Sequence, residues 1–162
     1  MDTQRTLVIL KPDALQRLIA GELITRFERR GLKIVGLKLQ AVPDALAREH
    51  YAVHEGKPFY DDLIEYITAG PVVVMALEGP DAIQVVRGTV GKTKPADATP
   101  GSIRSDYGLM MGRNLVHASD GEDTAKAEAA KKDAKPELEQ CKEDPAEKEA
   151  EIKAKLEADA GE

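Results

Sequence analysis

The stretch PVVVMALEG, residues 71–79, is the clearest strand signal in the chain, because a run of β-branched and aliphatic residues lies between a proline and a glycine. Two further stretches have the same character, TLVILK at 6–11 and LKIVGLKLQAV at 32–42. A short apolar stretch, NLVH at 114–117, follows a long loop punctuated by glycine and proline at 91–113. The sequence therefore predicts four strands.

Helical patterns lie between these strands. Apolar residues recur at helical spacing in GELITRFERRG (21–31) and in KPFYDDLIEYITAG (57–70), and each segment ends at a glycine. We expect Asp44 to cap a helix that runs to Tyr51, and Asp81 to cap the helix AIQVVRGTV. The resulting order, β-α-β-(α-α)-β-α-loop-β, predicts the ferredoxin-like α+β class, with a four-stranded antiparallel sheet and helices packed on one of its faces.

Composition limits the classes of protein that the chain can belong to. Its 162 residues suit one globular domain, and no apolar run is long enough to span a bilayer. The N-terminal MDTQRTLVIL lacks the layout of a signal peptide, and the single cysteine, Cys141, excludes an intrachain disulfide framework. We therefore expect a cytoplasmic location. The net charge of -6 argues against general binding to nucleic acid.

The charge is unevenly distributed along the chain. Residues 1–119 carry 15 Lys and Arg against 14 Asp and Glu, whereas residues 120–162 carry 8 against 15. Every aromatic residue lies at or before Tyr107. We therefore expect a domain over residues 1–130 and an acidic, divergent, helical tail over 131–162, in which Ile152 and Leu156 are the apolar residues of the final helical pattern.

Basic residues interrupt the apolar pattern at several points. The sequence has no P-loop and no G-x-G-x-x-G stretch, so a phosphate would have to be bound by side chains. The candidates are Lys11, Arg87, Thr93 and Arg104. Several basic groups that converge with a hydroxyl form a polyphosphate site, since guanidinium groups match phosphate oxygens. The alternative is that each is an ordinary surface cation.

The three histidines each allow two interpretations. His117, in GRNLVHASDG (112–121), is either a structural histidine or a reactive one, and Ser119 and Asp120 either orient its ring or cap a following helix. His50 and His54 have a spacing that suits a metal, although without a third ligand a solvated helix face is the simpler interpretation. From the residues alone, we infer an α+β domain with a candidate site for an anionic ligand.

Four segments in one register resemble the nucleoside diphosphate kinase family. They are KPDALQR (11–17), HYAVHEGKPFYDDLIEYITAGPVV (50–73), TKPADATPGSIRSDYG (93–108) and GRNLVHASD (112–120). The resemblance runs without a gap from about Arg5 to Glu128 and implies an enzyme of nucleotide metabolism. The alternatives are a catalytically weak nucleotide-binding or regulatory protein on the same fold, and, less well supported, a nucleic-acid-binding module.

The resemblance implies a ping-pong phosphotransfer through a phosphohistidine on His117. A neutral imidazole is a competent nucleophile near neutral pH. Mg²⁺ would arrive on the nucleotide phosphates, with no metal ligand from the protein. Other site residues are implied by matching family positions: Arg87, Arg104 and Thr93 at the phosphates, Lys11 and Asn114 at the ribose 3′-hydroxyl and the phosphates, Phe59 stacked on the base, and Tyr51 next to the histidine.

The chain departs from the family pattern at glycine positions and in the tail. Four residues replace a usual glycine: Ala14, Leu18, Ser105 and Ala118. The family's glutamate that orients the imidazole matches Glu128, while Glu151 is the alternative and would require an insertion. The resemblance implies a homo-oligomer, and because the family builds subunit contacts from this region, the altered tail leaves both a hexamer and a tetramer open.

Overall fold

A computed structural model describes residues 3–119 and 121 of the chain. A four-stranded antiparallel sheet has the spatial order β2-β3-β1-β4. The strands are β1 (Thr3–Leu10), β2 (Lys33–Ala41), β3 (Pro71–Pro80) and β4 (Val116–Ala118). The helices are α1 (Pro12–Gln16), α2 (Ala20–Arg29), α3 (Asp44–His50), α4 (Tyr60–Thr68), α5 (Ala82–Val90) and α6 (Ile103–Tyr107). The predicted ferredoxin-like α+β class is confirmed.

Helices cover both faces of the sheet, so the expectation of helices on a single face is wrong. Along β3, Val73 and Met75 contribute to one apolar cluster, while Val72 belongs to a second cluster on the opposite face. The first cluster includes Phe27 of α2 and Val86 of α5, and the second holds residues of α3 and α4. The physical reason is that β3 is apolar at successive positions, which is the pattern of a strand buried on both faces.

The predicted helix starts are near the observed ones, but the caps differ. Helix α3 begins at Asp44 with Pro43 in the capping position, and the Asp44 carboxylate instead pairs with Arg48 at 2.7 Å. Asp81 does precede α5, yet its φ is 50° and its side chain makes no capping hydrogen bond. Both aspartates still lie where a negative charge is favourable, at the amino end of a helix.

The long segment 91–113 is more structured than a loop. It contains a 3-10 turn at Pro95–Asp97 and helix α6. Gly108 closes α6, and a Cβ atom there would lie 2.6 Å from the Arg104 carbonyl oxygen, so only glycine fits. This compact segment brings Arg104 back to the end of the sheet where β4 starts.

Leu18 has a backbone conformation that favours glycine. Its φ is 58° and its side chain is 91% exposed. The other replacements, Ala14, Ser105 and Ala118, have no positive φ. Of the four positions where the family has glycine, only Leu18 therefore carries a backbone cost, of about 1 kcal/mol.

Candidate active site

Lys11 and Asn114 form the buried centre of the site. Lys11 directly follows β1, and its backbone N–H donates to the Leu115 carbonyl at 2.8 Å. Its ammonium group donates to Asn114 Oδ1 at 2.9 Å, and the Asn114 amide donates to the Thr93 carbonyl at 3.3 Å. Both Lys11 and Asn114 are buried. Lys11, Thr93 and Asn114 thus share one hydrogen-bonded network, although Lys11 and Asn114 are 103 positions apart in the sequence.

Arg104 is held beside this network by backbone carbonyl groups. Its guanidinium donates to Val116 at 2.6 Å, to Gly91 at 3.0 Å and to Asn114 at 3.3 Å. The side chain is buried, and charge-assisted bonds of this kind are the strong ones. Arg104, a predicted phosphate-binding residue, therefore also holds Gly91 and Asn114 together at the two ends of the segment that contains it.

The positive charge of Lys11 is unusually easy to lose. Burial, together with the nearby Arg104 guanidinium, lowers the pKa of the Lys11 ammonium to about 8, although Asp13 acts in the opposite direction. Below that pH the site holds the positive charges of Lys11 and Arg104 close enough to repel each other. Such an arrangement favours an anionic ligand, whose charge would stabilise both.

His117 lies on the short strand β4, opposite Ile9 of β1. The residue two positions before it, Leu115, has a φ of 72°, and the Val116 N–H donates to the Asn114 carbonyl across it at 2.8 Å. This three-residue turn is a strained conformation for a non-glycine residue and costs about 1–3 kcal/mol. It turns the chain from Asn114, in the cation network, into the strand that carries a half-buried His117.

Aromatic rings surround His117 on one side. The His50 ring centroid lies 5.0 Å from that of His117, and Tyr51 lies 6.4 Å away, both edge to face. His54 stacks on Tyr51 at 6.3 Å and tilts against Phe59 at 5.6 Å. Phe59, at the amino end of α4, is 47% exposed. The rings of His117, Tyr51, His54 and Phe59 thus form an aromatic row that runs from the half-buried His117 to the surface.

Sequence reasoning did not place His50 in the site. Its spacing from His54 indicated a solvated helix face or a metal ligand, whereas the ring instead contacts His117, which is 67 positions away. The contact follows from the packing of the end of α3 near β4, which no local spacing reveals. A weak signal was present, because His50 is the neighbour of Tyr51 inside a segment that resembles the family.

The remaining predicted residues are placed as follows. Arg87 lies in the last turn of α5 and Thr93 in the segment after it, and both are exposed. Ser119 is buried, and its N–H donates to the Leu7 carbonyl at 3.1 Å, so it secures the end of β4. Asp120, Glu128 and Glu151 lie outside the described residues, as does the whole of the tail over 131–162.

Among residues 3–119 and 121, no group of three His, Cys, Asp or Glu side chains is arranged to hold a metal ion. His50 and His54 therefore lack a third ligand within the described chain. No helix in that part of the chain is long and apolar enough to cross a membrane.

The ferredoxin-like α+β fold brings together clustered cations, a half-buried histidine and a partly exposed row of aromatic rings, a combination that fits a nucleotide phosphotransferase. A model of the family described as nucleoside diphosphate kinase matches residues 4–132. The chain therefore belongs to the nucleoside diphosphate kinase family. The enzyme transfers the γ-phosphoryl group of a nucleoside triphosphate to a nucleoside diphosphate.

Individual relatives agree with this assignment. The chain is 57% identical to a nucleoside diphosphate kinase of Roseiflexus castenholzii over 125 residues, which cover 77% of this chain and 84% of that protein. A relative from Staphylococcus haemolyticus is 55% identical over 125 residues, with the same coverage of both chains. The solved nucleoside diphosphate kinase of Halobacterium salinarum, in complex with CDP, superposes with a TM-score of 0.77 at 49% identity, covering 80% of this chain and 86% of that one.

Proposed function

We propose that His117 carries the phosphoryl group between the two nucleotides. One ring nitrogen attacks the γ-phosphorus of the triphosphate, a nitrogen–phosphorus bond forms, and the bond from that phosphorus to the β-phosphate oxygen breaks. The diphosphate leaves, and a terminal β-phosphate oxygen of a second diphosphate then attacks the phosphorus. The nitrogen–phosphorus bond breaks, and His117 is regenerated. The observation that supports this proposal is that a half-buried His117 directly follows the turn that joins it to the Lys11–Asn114–Arg104 network.

The cations of the site are proposed to bind phosphate. Lys11 and Arg104 are buried, oriented by hydrogen bonds and close to Asn114, so they are positioned before any ligand arrives. Preorganised charge of this kind stabilises the charge that develops in phosphoryl transfer. Exposed Arg87 and Thr93 are proposed to contact the phosphates from the outer side, and Lys11 and Asn114 also to bind the ribose 3′-hydroxyl.

The aromatic row is proposed to bind the nucleoside. Phe59 presents a half-exposed ring on which a base can stack, and Tyr51 lies between that ring and His117. Stacking depends little on the identity of the base, which fits an enzyme that acts on several nucleotides.

Magnesium is proposed to enter as part of the substrate, bridging the nucleotide phosphates. The chain would then need no carboxylate cage, and Mg²⁺ commonly keeps water and phosphate ligands in sites of this type. The cationic side chains Lys11, Arg87 and Arg104 suit a substrate whose negative charge is only partly neutralised by the ion.

A homo-oligomer, hexamer or tetramer, is proposed as the working form. Edge strand β2 exposes Leu37 and Leu39 at 50% and 62%, and the 91–113 segment exposes Met110 and Met111 at 61% each. Apolar residues grouped on a surface are typical of interaction sites. The division into a domain over 1–130 and a tail over 131–162, the role of Glu128 in orienting His117, and a cytoplasmic location also stay proposals.

Replacing His117 by alanine tests the mechanism. The variant should lose transfer between nucleotides almost completely, because it removes the nucleophile, while nucleotide binding stays largely intact because the cations remain. Steady-state transfer and calorimetric binding of a diphosphate provide the two measurements. Substantial turnover by His117→Ala would exclude a phosphohistidine on this residue. A parent chain that binds the diphosphate but shows no turnover would favour a regulatory binding protein.

A further inference from the structure

Asp13 and Tyr66 form a buried pair next to the site. The Tyr66 hydroxyl donates a short hydrogen bond to the Asp13 carboxylate, and both side chains are buried. The bond joins α1, which directly follows Lys11, to α4, whose amino end is capped by Phe59 of the aromatic row. A buried carboxylate is costly without compensating partners, so its presence beside a cation site calls for a role.

The Tyr66 ring contacts two cations. The Lys11 Nζ atom lies 5.6 Å from the ring centroid, and the Arg113 guanidinium carbon lies 5.7 Å from it. A phenol that donates to a carboxylate becomes more electron-rich, which strengthens its attraction for cations. The charge of Asp13 therefore acts on Lys11 both directly and through the ring.

Lys11 needs such a partner because of its surroundings. The charged or titratable groups that act on it or contact it are Arg104, Asp13 and Tyr66, while Arg113 contacts the same Tyr66 ring. Asn114 offers it a neutral oxygen. Asp13 is the only carboxylate in this described set, and it is the group that raises the pKa of Lys11 against the effects of burial and Arg104.

We propose that Asp13, held by Tyr66, is a positioning residue that keeps the Lys11 ammonium group charged and directed at Asn114 before nucleotide binds. The consequence for catalysis rests on the proposed function, in which Lys11 contacts the nucleotide. The effect on the charge of Lys11 does not, and it is measurable without turnover.

The direct test is the titration of Lys11 in the full chain without nucleotide. Lysine labelled with ¹³C at Cε is followed by NMR against pH, and Lys11→Arg identifies the signal. Asp13→Asn should lower the titration midpoint of Lys11 by about one pH unit. Asp62→Asn is the matched control, since Asp62 is an exposed carboxylate on α4 without a described ion pair. The titration midpoint of Lys11 in this variant should equal that in the parent chain.

Two more variants keep the test decisive. If Asp13→Asn does not fold, Asp13→Ser removes the same charge with a smaller side chain and should show the same downward shift. Tyr66→Phe keeps the ring and should lower the midpoint by less. A midpoint that stays at the parent value in the uncharged Asp13 variants would overturn the proposal, and an unchanged midpoint in Tyr66→Phe would overturn the part assigned to Tyr66.

The enzymatic readout separates charge control from a purely structural role. Activity that needs protonated Lys11 is present below its pKa and is lost as pH rises through it. Asp13→Asn should therefore lose about fivefold in kcat/KM at pH 8 and recover nearly parental kcat/KM at pH 6, if the midpoint moves by about one unit. A loss of the same factor at every pH would contradict the proposal. If the phosphohistidine mechanism itself were wrong, the NMR shift would still appear.

Discussion

The two ends of the site are built from different interactions. At the end proposed to bind phosphate, Lys11, Asn114 and Arg104 are buried and joined by directional hydrogen bonds of 2.6 to 3.3 Å. At the end proposed to bind the nucleoside, Phe59 and His54 meet at a ring separation of 5.6 Å, and Phe59 is half exposed. Hydrogen bonds fix angles and distances, whereas ring contacts tolerate variation in both.

The difference matches what each end has to recognise. The phosphate chain does not vary with the base, so a rigid cation network would serve all the proposed substrates, and in-line transfer requires its precision. Bases differ in shape and in hydrogen-bonding groups, so a half-exposed ring without directional contacts accepts them all. Substitutions at the two ends should therefore fail in different ways.

The largest effect is expected at the buried end. Arg104→Ala should cost about 2–4 kcal/mol of transition-state stabilisation. Because it also removes three hydrogen bonds from a buried guanidinium to backbone carbonyl groups, it should lower the free energy of unfolding by at least about 2 kcal/mol. Steady-state kinetics and urea denaturation provide the measurements.

Arg87 is the matched control for this prediction. Its side chain is exposed on α5, so Arg87→Ala should reduce the rate by a comparable factor with a change in unfolding free energy within about 0.5 kcal/mol. Equal stability losses in the two variants would break the distinction between an anchored and an exposed cation. An unchanged rate in either would return that arginine to the role of a surface cation.

A smaller effect is expected at the nucleoside end. Phe59→Ala should weaken nucleotide binding by about 1–3 kcal/mol, by a similar factor for purine and pyrimidine nucleotides. The rate at saturation and the melting temperature should change little, because the ring is half exposed. KM and Kd for four diphosphates are the measurements, with Phe59→Tyr as the control that keeps a stacking ring. A loss confined to one base would contradict recognition by stacking.

The smallest effect is expected from removing the end of the tail. If Glu128 orients the imidazole, deletion of residues 142–162 should leave activity near that of the full chain, while Glu128→Gln slows phosphorylation of His117. A rate assay on the two variants decides between the registers. An inactive truncation beside an active Glu128→Gln would assign the role to Glu151 and make residues 121–145 an insertion.

The sequence predicts the sheet better than the placement of helices around it. The strand expected at 71–79 is observed at Pro71–Pro80, because β-branched residues fit the pleated, buried surface of a sheet. Because the same run is apolar at successive positions, the sequence does not indicate which helix covers which face of the sheet. That choice depends on packing of Phe27 and Ile64 in separate clusters, which is a tertiary property.

The site shows the same division between local and tertiary information. The hydrogen bond between Lys11 and Asn114 spans 103 positions, and only resemblance to the family grouped these residues before the structure did. The His50–His117 contact and the Asp13–Tyr66 pair were not predicted at all. Each joins elements far apart in the chain, and a helical or strand period carries no information about such pairs.

The most direct test of a phosphohistidine on His117 is to mix the full chain with γ-³²P-labelled ATP and Mg²⁺, without an acceptor, and to measure label on the protein. We expect close to one acid-labile, base-stable phosphoryl group per chain on His117, which is released to added nucleoside diphosphate and is absent in His117→Ala. An unlabelled parent chain that still transfers phosphate, or label that persists in His117→Ala, would contradict a phosphohistidine intermediate at this residue.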